Sequence, residues 1–412
     1  MILADFCKSL DFSADAEQIL APAWQEILQT FPGDLPFLKE EFQKTWYPRI
    51  GNEPDFLPDL LRVVQTTRNT PVLNLYAWVL YYGLNRKEML PRLNQLPPPE
   101  KILGADAGLF TLAVAIGSFP LIESKHRELG LEPHYTDDLF SWFAGACAIH
   151  RAGHDGHPGL CLNQYFWARH YIDGDLFRIG RFEYLIHPVR DFVPAVFRHK
   201  ASGKLAVLSP DGWTYDENGV RADGGVCKTE LIFADNTVTG TPIMPDGKTL
   251  CGKTVTLSLE EFEPAVSPWE WVPSIHIPGG GGMTPEKIID SLQQAKVFFR
   301  KYFNRDIRMF CCSSWILNPD WETELPDSNM AFFIRLGWAV PAIPWDKAGL
   351  FFVFGTDEVD FETVPESNSL YRAFRNLNRQ GRKLRPGSTF FMAEDLNKLH
   401  ENYYREEGSA IC

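Results

Sequence analysis

The chain has 412 residues, 45% of them hydrophobic and 23% charged, so it is globular and long enough for two domains that each bury a core. Its formal net charge of −13 repels phosphate backbones, which argues against nucleic acid as a partner. No basic segment precedes an apolar run at the start, and no apolar run approaches a membrane span, so we expect neither a secretion signal nor a membrane partner. The eight cysteines lack the spacing of a disulfide framework, which favours a reducing cytoplasm.

The first 165 residues show the periodicity of helices. Apolar residues three and four apart predict helices over residues 15–28, 32–46, 71–84, 105–122 and 136–151. Pro22 should kink the first of these or start a new helix, because proline interrupts the hydrogen-bond ladder. The helix over 71–84 is apolar nearly all round, which predicts that it is buried.

From residue 176 the period changes to that of strands. Residues 176–187 alternate, and the phase slips at Gly180 and Arg181, which predicts a β-bulge. A β-rich meander should occupy residues 190–265, with strands over 204–208, 229–233 and 253–257 and Pro-Asp-Gly turns between them. Near the C-terminus we expect a strand over 350–354, a basic helix over 368–380 and a last strand over 388–392.

Residues 271–340 form the segment with the strongest pattern. A strand over 271–277 should end at Pro278, four glycines follow, and a helix capped by Thr284 should run to about Phe303. A strand over 309–317 and a helix capped by Asp327 or Ser328 complete it. A glycine turn that opens a helix can hold an anion with its backbone N–H groups. The alternative is a flexible turn, since the pattern carries no lysine.

Several runs of this segment resemble a known family. The runs IHIPGGG, SLQQA, CSSW and SNMAFF are similar to the GNAT-like C-terminal domain that follows a helical N-terminal domain in a bacterial acyltransferase-like family. The runs RIGRFEYLI, VTGTPIMPDGK and LYRAFRNLNRQGRKLRPG extend the resemblance to most of the chain. It implies an α+β fold, with a helical N-terminal domain over 1–165 and a GNAT-like mixed-sheet acyltransferase domain with an inserted meander over 166–412.

The resemblance also implies an activity and a site. The activity is transfer of an acyl group from acetyl-CoA or another acyl-CoA to a small-molecule acceptor, an amine, with no metal expected. The rival is a catalytically silent protein for ligand binding or assembly. The implied site has His276 and Ser314 as catalytic residues and, for the cofactor, Ile275, Ile277, Gly279, Gly280, Gly281, Gly282, Asn329 and Phe333.

The roles of these residues come from the family. His276 would deprotonate the acceptor amine from the strand whose amides hold the acyl carbonyl, and its alternative role is a hydrogen-bonded core histidine. Asn329 would bond the pantetheine or adenosine, or else cap its helix. Two departures stand out: the glycine loop lacks the usual Arg or Gln, and Phe333 replaces a tyrosine that protonates the leaving thiolate. Either another group, such as Ser313 or Ser314, supplies that proton, or the domain binds its ligand without turnover.

Two further clusters have open interpretations. Cys147, His150, His154, His157 and Cys161 have gaps that zinc ligands use, but the run also fits an exposed interdomain loop. A basic cluster is either a solvated helix face or the counter-charge for a phosphate or an acidic partner; its members are Arg372, Arg375, Arg379, Arg382, Lys383 and Arg385.

Overall fold

The computed structural model describes residues 1–51, 55–86, 88, 90–187, 194–267 and 270–411, which form two compact units. Unit 1 comprises Met1–Arg178, Pro278–Gly280 and Phe352–Thr356. Unit 2 comprises Ile179–Ile277, Gly281–Phe351 and Asp357–Cys412. The boundary predicted between residues 165 and 166 falls inside a helix, and the start of the predicted meander, 190–193, lies outside the described residues.

Unit 1 consists of helices joined by short 3₁₀ turns. Pro22 does interrupt the first predicted helix, with a 3₁₀ turn at Ala21–Ala23. The α-helices are α1 (Leu3–Leu10), α2 (Ala14–Leu20), α3 (Trp24–Thr30), α4 (Glu40–Trp46), α5 (Leu57–Asn69), α6 (Pro71–Asn85), α7 (Glu100–Leu103), α8 (Ala107–Gly117), α9 (Phe119–Glu128), α10 (Pro133–Gly153) and α11 (Leu162–Asp173).

The core of unit 1 surrounds α8. Every residue of α8 is buried, and α4, α5, α6 and α11 pack against it. The helical stretch Glu100–Glu128, which includes α8, is long and apolar enough to cross a membrane by length and composition, contrary to the sequence prediction. However, 72% of its most apolar window is buried within the protein, as is typical of the central helix of a bundle.

Unit 2 contains the sheets and five more helices. The strands are β1 (Leu176–Ile179), where the chain passes from unit 1 to unit 2, β2 (Phe182–Leu185), β3 (Ala195–His199), β4 (Leu205–Leu208), β5 (Thr214–Tyr215), β6 (Cys227–Lys228), β7 (Leu231–Ala234), β8 (Thr237–Gly240), β9 (Val255–Ser258), β10 (Phe262–Pro264), β11 (Ser274–His276), β12 (Met309–Ser314), β13 (Trp338–Val340) and β14 (Gly387–Met392). The helices are α12 (Pro285–Phe303), α13 (Trp321–Glu324), α14 (Asn329–Leu336), α15 (Leu350–Phe354), whose residues from Phe352 onward belong to unit 1, and α16 (Ser369–Arg379).

The main sheet has the strand order β1-β2-β11-β12-β14-β13. β11 and β12 pair in parallel; β2 pairs with β11, and β14 with β12 and β13, in antiparallel fashion. The meander lies between β2 and β11 in the chain and forms small separate sheets, β10-β3-β4, β7-β8-β9 and β5-β6. A helical N-terminal region followed by a mixed sheet with an inserted meander confirms the predicted α+β class.

Helix α12 packs on one face of this sheet through its predicted apolar stripe, including the buried Ile288, Leu292 and Phe299. Ser291 of α12 is fully buried, and its hydroxyl donates to the Ile179 carbonyl at 2.6 Å. The same oxygen accepts from the Phe182 amide at 3.3 Å and lies 2.9 Å from the Tyr184 hydroxyl, which must donate because the Ser291 proton is already used. One hydroxyl thus fixes the β1–β2 hairpin to α12.

Two local predictions were wrong, each because tertiary packing or turn geometry overrides the sequence pattern. Gly180 and Arg181 are not a bulge but the two-residue turn of the β1–β2 hairpin, with Gly180 at φ +58°. Residues 350–354 form α15 rather than a strand, since a short apolar run fits either state.

Candidate functional site

The main sheet is split between its two parallel strands. The Cys311 amide donates to the Pro273 carbonyl at 3.1 Å, and Ser274 pairs with Cys311, but no later residue of β11 pairs with β12. Instead β11 pairs with β2 along its whole length, and β12 pairs with β14. Beyond Ser274 and Cys311 the two strands therefore present backbone edges to an opening in the middle of the sheet.

Strand pairing fixes which side chains flank this opening on each face. Residues paired across strands share a face, and alternate residues of one strand do too. Ser274 pairs with Cys311, so His276 and Ser313, each two residues further along, lie on the same face. Glu183, the partner of His276 on β2, joins them. The split is therefore bordered on one face by an imidazole and a hydroxyl, with a carboxylate one strand away on the same face.

His276 and Glu183 are direct cross-strand neighbours. Side chains in this relation have Cβ atoms about 4.5–5.5 Å apart. Glu183 is 1% exposed, while His276 is half-buried. A buried carboxylate beside an imidazole can orient the ring and stabilise its protonated form. Sequence reasoning missed Glu183 because an alternating strand such as Phe-Glu-Tyr-Leu predicts that its charged residue faces water.

The two serines considered for proton donation lie on opposite faces of the sheet. Ser314 is on the α12 face, away from His276, and its oxygen accepts from the Ile316 amide at 3.3 Å. Ser313 is exposed on the His276 face, with its oxygen 2.7 Å from that of Ser388. The structure therefore does not bring Ser314 and His276 together, and of the two serines only Ser313 shares the face of the imidazole.

Two of the predicted cofactor residues have buried side chains. Ile275 is 1% exposed, and Phe333 is fully buried, with its ring centroid 5.7 Å from that of Phe182 and 5.6 Å from that of Phe391. Ile277 is half-buried. Contact between a ligand and Ile275 would therefore involve its backbone, and the Phe333 ring fills the core beneath α14.

The glycine turn adopts a conformation that side chains disfavour. Gly280, Gly281 and Gly282 have φ of +75°, +72° and +66°, and these three and Gly279 are exposed. Three successive left-handed residues are accessible to glycine at little cost, which explains the run of glycines.

Two cations not included in the sequence prediction bind this turn. Lys287 donates to the Gly281 carbonyl at 2.6 Å, and Arg181 donates through Nε to the Gly282 carbonyl. With the first turn of α12 they create positive potential here. Arg181 comes from the β1–β2 turn and Lys287 from inside α12, so the glycine pattern itself could not reveal either.

Asn329 is the exposed first residue of α14. The residue that caps this helix is Ser328, whose oxygen accepts from the Ala331 amide at 3.1 Å. The alternative role for Asn329, as the helix cap, therefore belongs to Ser328. Its contact with a cofactor stays a prediction.

The basic cluster near α16 is largely neutralised. Arg382 and Arg385 both pair with the buried Asp320, and Arg375 pairs with Glu366 at 3.2 Å. These ion pairs favour a structural network over an anion site.

The family model of the GNAT-like C-terminal domain matches residues 176–391, more than half of the chain. The chain belongs to this family. The match covers the sheet, the split and the glycine turn of the GNAT-like domain, together with the inserted meander. No curated protein matches the sequence.

Solved structures share the fold of the whole chain. An acyltransferase in complex with decanoyl-CoA and teicoplanin aligns with a TM-score of 0.65 and 19% identity, covering 95% of this chain and 100% of that one. An acyltransferase mutant in complex with octanoyl-CoA aligns with a TM-score of 0.64, also at 19% identity, covering 95% and 99%. A third, in complex with CoA and a teicoplanin derivative, has a TM-score of 0.65 at the same identity, covering 95% and 100%.

Proposed function

We propose that this protein transfers an acyl group from acyl-CoA to an amine. The observation that carries the proposal is the split between β11 and β12, with His276 and Glu183 on one face of its border. Beyond Ser274 and Cys311 the two strands no longer pair with each other, which suits entry of the amide-rich pantetheine arm between them. The similar structures bind CoA, octanoyl-CoA or decanoyl-CoA, which supports the same class of co-substrate.

The turn and the first turn of α12 would hold the cofactor's pyrophosphate. Arg181 and Lys287 supply the positive charge that the family loop usually carries itself. Both would exchange a carbonyl partner for a phosphate oxygen, a stronger and charge-assisted hydrogen bond. The overall charge of −13 makes this local positive potential necessary for an anionic ligand.

In the transfer step the amine nitrogen attacks the thioester carbonyl carbon, so that a C–N bond forms and the C–S bond breaks. His276 accepts the proton that the amine loses, and Glu183 holds the imidazole in place and stabilises its charge. Amides at the split bond the oxygen that becomes negative as the tetrahedral intermediate forms. The CoA thiolate leaves and takes a proton from water or from Ser313.

The acceptor and its setting are part of the proposal. We propose a small molecule with an exposed amine, in a reducing cytoplasm. Teicoplanin or 10C-teicoplanin in two of the similar structures supports a bulky acceptor, and the decanoyl and octanoyl groups in two of them support acyl groups longer than acetyl.

A second function, cofactor binding without turnover, is favoured by one observation. The residue where many family members have a proton-donating tyrosine is Phe333, and it is fully buried. A phenylalanine cannot donate a proton, so this function requires only that the split and the turn bind acyl-CoA.

One experiment tests cofactor binding. Titration of decanoyl-CoA into Arg181→Gln and Lys287→Gln should show dissociation constants about 10-fold higher than for the wild type, because each loses a charged hydrogen bond worth about 1.5–3 kcal/mol, reduced by exposure. Lys296→Gln, an exposed lysine further along α12, is the matched control and should bind normally. Equal affinity in all four proteins would remove the turn from the site.

A second measurement separates transfer from binding. Mass spectrometry of mixtures with decanoyl-CoA and a panel of amines, including glycopeptides, should detect an acylated product. Binding of decanoyl-CoA without product formation from any amine would leave the silent function. Absence of both binding and product would reject the two functions together.

A further inference from the structure

Two histidines and a cysteine of unit 1 lie together. His150 is in the last turn of α10, His154 is the C-cap residue of the same helix, and Cys161 precedes α11 as its N-cap residue. Each offers one ligand atom, and the three atoms all lie within 4.8 Å of one another. The other two members of the run, the buried Cys147 and the exposed His157, are not in this group. The run is thus only partly an exposed loop.

Backbone hydrogen bonds fix the tautomer of both rings. His150 Nδ1 lies 3.1 Å from the His157 carbonyl oxygen, and His154 Nδ1 lies 2.8 Å from the His150 carbonyl oxygen. A carbonyl can only accept, so each Nδ1 carries the proton and each Nε2 keeps its lone pair. Metal-binding histidines are held in this way in proteins, with the second nitrogen donating to a carbonyl or carboxylate.

Close backbone packing holds the cysteine beside the first ring. The Leu160 amide donates to the Gly108 carbonyl at 2.9 Å, which ties the residue before Cys161 to α8. A Cβ on Gly108 would lie 2.3 Å from His150 Nε2, and a Cβ on Gly159 would lie 2.5 Å from the Gly108 backbone. Only glycines permit this approach.

We propose that His150, His154 and Cys161 bind a zinc ion through two imidazole nitrogens and a thiolate. This donor set suits zinc, and since His154 is exposed, water can occupy the fourth tetrahedral position. The two rings stack in parallel, with centroids 4.0 Å apart, so the exposed His154 ring, unlike that of His150, must turn toward the ion and exchange its hydrogen bond to the His150 carbonyl. Bound zinc would link the end of α10 to the start of α11. The proposal does not depend on acyl transfer, whose assigned residues Glu183, His276 and Ser313 belong to unit 2.

The test uses the full chain, stripped with EDTA and kept reduced without a metal-binding thiol. Zinc titrated against a chromophoric chelator should bind with one equivalent per chain. Cobalt should give a thiolate-to-metal charge-transfer band, which reports the cysteine directly. Because loss of an outer-shell partner alone weakens metal sites by about 10- to 100-fold, His154→Ala and Cys161→Ser should each weaken zinc binding by at least about 100-fold.

The matched control is His157→Ala, which removes an exposed ring from the same connection but leaves the backbone carbonyl that orients His150. It should bind zinc like the wild type. Zinc should also protect Cys161, rather than the other cysteines, from alkylation, as measured by peptide mapping. No stoichiometric binding by the wild type, or equal binding by all four proteins, overturns the proposal. A cobalt complex without the charge-transfer band also overturns it, because Cys161 is then not a ligand.

Discussion

His276 and Glu183 form the pair on which the proposed chemistry depends. The imidazole belongs to the strand that borders the split, and the carboxylate is buried on the adjacent strand. A buried charge is costly unless a partner compensates it, so a carboxylate retained here has a polar or charged neighbour. Contact between the two side chains would therefore compensate the buried acid and, in the proposed reaction, also orient the base.

We expect His276→Ala to slow turnover by about 10²- to 10⁴-fold, the usual worth of a general base, with little change in the affinity for acyl-CoA. Glu183→Gln keeps the shape but removes the charge that favours the protonated ring. It should slow turnover less and move the acid limb of the pH–rate profile to lower pH. Steady-state rates across pH measure both effects. A Glu183→Gln enzyme with an unchanged profile would limit Glu183 to packing.

A second histidine makes stability depend on pH. His126 is 2% exposed, its Nδ1 lies 2.9 Å from the Thr136 hydroxyl oxygen, and burial lowers its pKa from 6.5 to about 4. Below pH 6.5 the unfolded chain binds a proton at this histidine that the folded protein does not bind. The contribution of His126 to stability therefore falls until about pH 4 and then levels off. The shift corresponds to roughly 3 kcal/mol.

We therefore expect His126→Gln to lose less stability than the wild type between pH 7 and pH 4.5, measured as the change in urea midpoint for each protein. His134→Gln, at the exposed start of α10, is the control for loss of a histidine as such. Parallel falls in all three proteins would show that His126 does not determine the acid sensitivity.

At the scale of elements, the glycine turn shows how backbone conformation sets ligand access. Gly281→Ala places a methyl group at a residue with φ +72°, which costs about 1–2 kcal/mol and distorts the turn that Lys287 and Arg181 bind. We expect acyl-CoA affinity to fall about 10-fold, measured by calorimetry. Gly252→Ala has a φ of +78° and equally open surroundings, so it should match the strain without affecting affinity. Similar losses in both variants would assign the effect to general destabilisation.

Secondary structure was predicted correctly where the apolar pattern extended over many residues, and incorrectly where the pattern covered only a few. The nineteen residues of α12 and the buried α6 follow from their apolar spacing. The five apolar residues of α15 do not distinguish a strand from a helix, and a two-residue turn shifts side-chain phase as a bulge does. Glu183 and Arg181 join the candidate site only through strand pairing and a hairpin turn, which the linear pattern does not contain.

At the scale of the whole molecule, the resemblance of several short runs was enough to predict the family, whereas single residues were predicted less well. His276 lies on the strand that borders the split, whereas Ser314 lies on the other face of the sheet. Adjacent residues of one strand point to opposite faces of the sheet. A role assigned to the neighbouring residue is therefore placed on the wrong face.

Cofactor binding should be visible as local protection in the centre of the main sheet. Residues 275–277 and 312–314 border the split, whereas β13 and β14 pair with each other away from it. Hydrogen exchange with saturating decanoyl-CoA should slow in the first group and stay unchanged in the second. At about 100 times the dissociation constant, the ligand should also add roughly 2.7 kcal/mol to the free energy of unfolding. Protection confined to residues outside the split would contradict the proposed mode of binding.

The hydroxyl of Ser291 fixes the position of the β1–β2 hairpin against α12. This hairpin carries Arg181, which would bind the phosphates, and Glu183, which would orient the base; Phe182 lies between them in the chain. In the proposed mode of binding, the three hydrogen bonds of this hydroxyl would maintain the spacing between the phosphate site and the reacting carbonyl. A change at Ser291 could therefore alter the proposed site without altering any residue that would touch the cofactor.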